Sequence, residues 1–154
     1  MDASAMHTRW RALSPYMLST LRIVAAFLFL QYGTAKWFGF PGPIMPNGGT
    51  VELASQMGLA ALLETVGGTL LLFGLFSRVT AFVLSGEMAF AYFIAHATQG
   101  FWPVLNNGTV AVLFSFVWLY VSVAGPGPWS LDALIRRVPP PRAMIDTIDW
   151  RAAS

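Results

Sequence analysis

Residues 16–38 read YMLSTLRIVAAFLFLQYGTAKWF, an apolar run interrupted by two charges, Arg22 and Lys36. A hydrocarbon core about 30 Å thick takes about 20 helical residues to cross, so this stretch has spanning length. Three more runs of the same character follow, at about Val51 to Phe76, Val79 to Thr98 and Gly108 to Ala124. Between the first two, Gly39, Pro41, Gly42, Pro43, Pro46, Asn47, Gly48 and Gly49 form a connection that cannot continue a helix. The second and third are joined almost directly at Ser77 and Arg78, and Gly125 to Pro128 breaks the fourth. The fold class expected is all-α, an integral membrane four-helix transmembrane bundle. Its parts are a cytoplasmic N-terminal segment at 1–15, a transmembrane domain at 16–124 and a cytoplasmic tail at 125–154, stiffened by Pro139 to Pro141.

Composition agrees. Of 154 residues 56% are hydrophobic and 10% charged, against about a quarter charged in soluble domains. That excludes an ordinary water-soluble globule, which could not cover its surface with so few charges. No cysteine is present, which removes disulfides, thiolate nucleophiles and cysteine-held metal clusters from this chain. His7 and His96 are the two histidines; paired axial ligation of haem across one bundle is not expected, and no metal site is. The pI near 9.4 reflects basic residues at chain ends and loops, which read as orientation signals rather than as a nucleic-acid surface. The first run has no A-x-A cleavage site and reads as a span, not a removable signal.

Lysine and arginine counts set the orientation. Arg9, Arg11, Arg78, Arg136, Arg137, Arg142 and Arg151 fall on one side of a four-span arrangement and Lys36 on the other. Positively charged loops stay inside, so both termini are placed in the cytoplasm.

Charges within lipid are costly and need partners. Arg22, Ala26, Phe29, Gly33 and Lys36 share one face of the first helix; Ala60, Glu64, Gly67 and Gly68 share one face of the second. Arg22 is therefore expected to meet Glu64 or Glu87 inside the bundle. One carboxylate then holds the helices in register, and the other is free to take up a proton or serve a quinone site. Lys36 marks the outer surface, with Arg22 ~21 Å below it at ~1.5 Å per residue. Gln31, Tyr32, Lys36, His96, Asn106 and Asn107 fall at similar depth as a candidate ligand-binding vestibule, with Phe29, Phe90 and Phe93 as aromatic walls and Glu64 as the floor. An interfacial belt of snorkelling side chains without a cavity is the alternative. His96 follows Glu87 by nine residues, about half a turn out of phase on a straight helix at 100° per residue, and is placed at the outer interface.

Three motifs resemble one family. Leu21-Arg22-Ile23 with Gln31-Tyr32-Gly33-Thr34-Ala35-Lys36 is similar to the Arg…Gly-x-x-Lys opening helix of DoxX membrane proteins. Leu63-Glu64-Thr65-Val66-Gly67-Gly68 and Gly74-Leu75-Phe76-Ser77-Arg78 resemble their Glu-x-x-Gly-Gly helix and Gly-Leu-x-x-Arg turn. Gly125-Pro126-Gly127-Pro128-Trp129-Ser130-Leu131-Asp132 resembles their Gly-Pro-Gly-x-x-Ser-x-Asp ending. Thr109 departs, standing where the family pattern has a Glu opening the fourth helix. The resemblance implies a multi-pass protein of the bacterial inner membrane. It also implies a quinone-associated accessory subunit of a sulfur or oxidative-stress redox system, with a quinone and nothing covalent as cofactor. The partners would be the bilayer and a redox protein, the chain being a subunit of a larger complex or an oligomer, with no nucleic acid. The residues alone also admit a small proton-coupled transporter working through a membrane Glu, or a structural or assembly subunit. Ser130 and Asp132 are expected to cap a short helix running through Arg136 and Arg137.

The orientation has a direct check. A phosphatase or fluorescent reporter fused after Ser154 should report a cytoplasmic C-terminus, and a periplasmic reading would reverse the assignment.

Overall fold

The computed structural model describes residues 3–45 and 48–137, with side chains from Trp10 to Arg136. The sequence readings on Pro46, Asn47, Pro139 to Pro141, Arg142 and Arg151, and on the His7 and Arg9 side chains, lie outside the described residues. Among the described residues five α-helices follow in order: α1 Ala3–Phe38, α2 Gln56–Phe73, α3 Ser77–Ala91, α4 Thr109–Ala124 and α5 Leu131–Arg137. Beyond α3 the chain keeps turning through a π-helical segment, Tyr92–His96, and a 3-10 turn, Ala97–Gln99.

Trp10–Phe38, Gln56–Phe73 and Ser77–Gln99 are long and apolar enough to cross a membrane. The fourth apolar helix, α4, has 16 residues. Gly108 and the Gly125-Pro126 break confine it.

Local chemistry sets the other ends. At the start of α2, Ser55 Oγ accepts from the Gly58 amide at 3.0 Å, so the helix begins at Gln56 and not at Val51. It stops at Phe73 because Gly74 adopts φ 70°, and the amides of Gly74 and Leu75 turn back to Leu71 and Leu70 carbonyls. In the other direction α1 extends well before Tyr16, carrying Pro15 within it.

The helices associate as two antiparallel hairpins, α1 on α2 and α3 on α4, joined chiefly through α2 and α3. Between α1 and α2 the backbones approach closely. A Cβ on Gly33 would lie 2.7 Å from the Thr65 nitrogen and 2.9 Å from the Ala61 carbonyl oxygen, and one on Gly68 3.2 Å from Leu30 Cα. Close approach of this kind holds helices together where lipid removes the hydrophobic drive between them. Phe29, Leu71, Leu84, Trp118 and Val121 fill the centre, and Phe27, Phe73, Phe82 and Phe116 point outward, as helices solvated by acyl chains require.

At the α2–α3 turn, three side chains satisfy helix ends that lie far away in sequence. Arg22 is wholly buried. Its Nη1 donates to the carbonyls of Leu71 and Leu72, in the last turn of α2; Nε donates to Pro126 and Nη2 to Trp129. Arg78 Nη1 donates to the Ser122 and Val123 carbonyls at the end of α4. The Asp132 carboxylate accepts from the Phe76 and Ser77 amides, 2.9 Å each, at the start of α3. Such groups have no partner inside their own helices, and a cation suits a helix C-terminus as an anion suits an N-terminus.

Two expectations are corrected here. Arg22 does not pair with Glu64 or Glu87: helical side chains lean toward their own N-terminus, which carries the guanidinium away from both acids and onto the end of α2. Ser130 does cap α5, accepting from Ala133 N at 3.1 Å, but Asp132 caps α3 instead.

Partial burial pushes the Asp132 carboxyl up, yet the Ser77 and Phe76 hydrogen bonds and the nearby Arg136 outweigh it and hold the group below its ordinary 3.8. A lowered folded value means that the stabilisation is present above the unfolded value and is lost as pH falls through the folded one. Asp132→Asn should therefore lower thermal stability in detergent by about 1 kcal/mol at neutral pH. The gap to wild type should close below about pH 4.

Candidate functional site

Toward the opposite end of α1 lies Lys36. Lys36 Nζ bonds Glu64 Oε1 at 2.6 Å. The same N-terminal lean that takes Arg22 away brings Lys36 back down from the bundle end to a carboxylate on α2. Small residues at Gly33 and Ala61 let α1 and α2 close around the pair. Glu64 is 3% exposed, and its Oε2 has no hydrogen-bond partner among the described residues. Both carboxyl oxygens of Glu87, on α3, are buried and equally without a partner among the described residues. Glu87 lies within Coulomb range of Glu64 and Lys36. The charge cluster is thus Lys36, Glu64 and Glu87, with Arg22 outside it.

A cavity of about 250 Å³ opens beside the ion pair. Its polar lining is Tyr32, Lys36, Glu64, His96 and Asn107; Phe29, Met88 and Phe114 supply much of the apolar wall. Phe29 and Phe114 meet edge to face at 5.1 Å, and both lie against Trp118, so the wall is a fixed aromatic cluster.

His96 lines this cavity, which Glu87 does not. The two are about half a turn apart on a straight helix, and the π segment at Tyr92–His96, whose wider turn advances less than 100° per residue, sets the ring behind its α-helical position. Its Nδ1 lies 2.9 Å from the Asn106 carbonyl oxygen. A carbonyl can only accept, so Nδ1 carries the hydrogen and a neutral ring keeps Nε2 as an acceptor.

The remaining vestibule residues divide. Tyr32 and Asn107 line the cavity. Asn106 is buried and spends both ends on structure, donating to the Gly100 carbonyl at 2.7 Å and accepting from the Gly108 amide at 2.8 Å. Gln31 faces an adjoining open groove of about 660 Å³ between α1, Pro41 to Ile44 and α4, whose lining shares Tyr32, Val110 and Phe114 with the cavity. Phe90 and Phe93 are 59% and 67% exposed and are not its walls. Phe114 and Met88 take that place. Phe114 was legible in the spacing of Ala111, Phe114, Trp118 and Val121, which marks the buried face of α4. Thr109 is exposed in the first turn of α4.

Comparison with known proteins now bears on these residues. The DoxX family model matches residues 17–97, which covers more than half of the chain. The chain belongs to the DoxX family. An uncharacterised protein of Haemophilus influenzae is 46% identical over 122 residues, covering 77% of this chain and 90% of that protein. The inner membrane protein YqjF of Escherichia coli is 30% identical over 125 residues, 75% of this chain and 89% of its own length. An uncharacterised membrane protein of Mycobacterium tuberculosis is 27% identical over 132 residues, 77% and 80% of the two chains. No solved structure matches significantly. The three DoxX-like motifs sort onto the two ends of the bundle. Arg22, Gly74, Arg78 and the Gly125 to Asp132 segment build the helix-end contacts, while Gly33, Lys36 and Glu64 build the cavity.

Removing one partner of a buried pair strands the other charge. Lys36→Met should cost about 3–5 kcal/mol, read as thermal unfolding in detergent. The double variant Lys36→Met with Glu64→Leu should recover most of that loss, giving a large coupling term in the cycle.

Proposed function

We propose that this chain is a bacterial inner-membrane subunit that binds a lipid-soluble quinone-type ligand in the Lys36–Glu64 cavity, on behalf of a redox partner. The observation that carries the reading is an aromatic-walled cavity with a buried ion pair at its floor, inside an otherwise apolar bundle. Inner-membrane placement is supported by the description of the Escherichia coli relative. The arginine distribution supports cytoplasmic termini, which puts the cavity toward the outer face.

The residues fit such a ligand. The Phe29–Phe114 wall accepts the face of a ring, and a volume near 250 Å³ is that of a small head group rather than a bulky polycycle. The neighbouring groove, open toward lipid and sharing Tyr32 and Phe114 with the cavity, offers access from the bilayer. A bound quinone supplies a two-electron, two-proton couple. The chain's part is to bind and orient the ring, exclude water and hold protons at Glu64 and His96, with Glu87 behind them as a further acceptor. With no cysteine in the chain, any thiol chemistry belongs to the partner.

A second reading, proton-coupled exchange of a small cation, is favoured by Glu87, whose buried carboxyl oxygens have no hydrogen-bond partner among the described residues. One measurement separates the two. A short-chain benzoquinone titrated against purified protein should quench tryptophan fluorescence saturably, and Phe114→Ala should weaken that binding at least about tenfold. Absence of saturable quenching, together with cation-driven pH changes in proteoliposomes that Glu87→Gln abolishes, would overturn the quinone reading in favour of transport.

A further inference from the structure

We infer that the cavity holds its ligand as a hydroxyl donor, an aromatic diol of the quinol type, in preference to the dicarbonyl form of the same ring. This rests on the quinone-type reading above and specifies which member of the couple the site is built for.

The argument is a count of donors and acceptors. Glu64 is 3% exposed, lines the cavity, and has one oxygen on Lys36 and the other without a partner among the described residues. A buried carboxylate oxygen left unpaired carries a full desolvation penalty, so an occupant that donates to it is favoured over one that cannot. A carbonyl only accepts. Placed at the ion pair, it can take a proton donor from Lys36 Nζ but sets its own lone pairs against Glu64 Oε2.

A hydroxyl does both. It accepts from Lys36 Nζ and donates to Glu64 Oε2 at once, completing the pair. Across the cavity the same asymmetry recurs. His96, which lines the cavity, has Nδ1 committed to the Asn106 carbonyl, and the tautomer with its hydrogen there keeps Nε2 as another acceptor. Tyr32 and Asn107, which donate or accept, place no demand on the choice. Two lining groups from different helices therefore call for a donor. The aromatic wall of Phe29 and Phe114 favours a planar ring laid against it, and a ring bearing two hydroxyls meets both requirements. No electron transfer is part of this assignment; it concerns which form binds.

The test uses three probes that share one alkylated ring: the hydroquinone, the benzoquinone and the hydroquinone dimethyl ether. Each is titrated anaerobically against the purified full-length chain in detergent micelles at neutral pH. The diol should bind at least about tenfold more tightly than either of the others, the size expected when a charged buried acceptor gains or lacks its donor. Glu64→Gln, which supplies an amide N–H as well as a carbonyl, should narrow the gap between diol and quinone to within about threefold. His96→Phe should weaken the diol severalfold and leave the quinone unchanged. Benzoquinone or dimethyl ether binding as tightly as the diol would overturn this inference while leaving the quinone-type reading intact. Failure of all three probes to bind would overturn both.

Discussion

Lipid offers no hydrogen bonds, and every helix end near it must find partners within the protein. At the α2–α3 turn that requirement is met by side chains reaching across the fold. Arg22 takes carbonyls from the end of α2 and from the Pro126 to Trp129 turn, Arg78 takes those at the end of α4, and Asp132 takes the amides opening α3. Guanidinium is suited to this work, because its five donors form a rigid fork and its charge disperses over a plane. Glycine makes room for the arrangement. Gly127, at φ 75°, sits where a Cβ would fall 2.9 Å from the Pro15 carbonyl oxygen, and Gly125, at φ 92°, where one would fall 3.0 Å from the Arg78 guanidinium.

Two cations within the spanning part of α1 serve opposite ends. Arg22 and Lys36, spaced along one helical face at ~21 Å, both lean toward the helix N-terminus, and that shared direction gives one a set of carbonyls and the other a carboxylate. The Arg22 end is knit by main-chain acceptors and is regular. The Lys36 end is irregular, with a π segment, a 3-10 turn and the Gly/Pro connection around the cavity. Departures from α-helical geometry are concentrated where π segments are often functional, and the polar cavity lies there rather than at the regular end.

Four apolar helices, the short connection at Ser77 and Arg78 and the Gly67-Gly68 face beside Glu64 were legible because hydropathy and 3.6-residue periodicity are carried by side chains; the hairpin pairs α1 on α2 and α3 on α4 were not, since the tight connection pointed to α2 on α3. Ser130 was legible as a cap for the same reason. The partner of Arg22 was not, since pairing charges by eye considers other side chains, whereas its acceptors are carbonyls that any residue would supply. His96, placed in the vestibule by depth, lines the cavity; its phase was not legible from a constant 100° per residue, an assumption that a π segment breaks without leaving a composition signal. Phe90 and Phe93 were misplaced because phenylalanine is equally at home against acyl chains and in a bundle core. The tilt of Lys36 toward Glu64 was available from helix geometry, but a reading that put the lysine at the surface left it there.

Arg22 also has a history within each molecule's synthesis. Its acceptor on Leu71 lies 49 residues downstream and that on Pro126 lies 104 downstream. When α1 leaves the ribosome, neither exists. The carbonyls of α2 come first, and the guanidinium has its full set of acceptors only once Pro126 and Trp129 have been made. The turn at Pro126 to Trp129 thereby completes the partners of a residue in the first span. A product truncated before Pro126 would expose this cation at the edge of its first span, a visible mark by which an unfinished copy differs from a finished one.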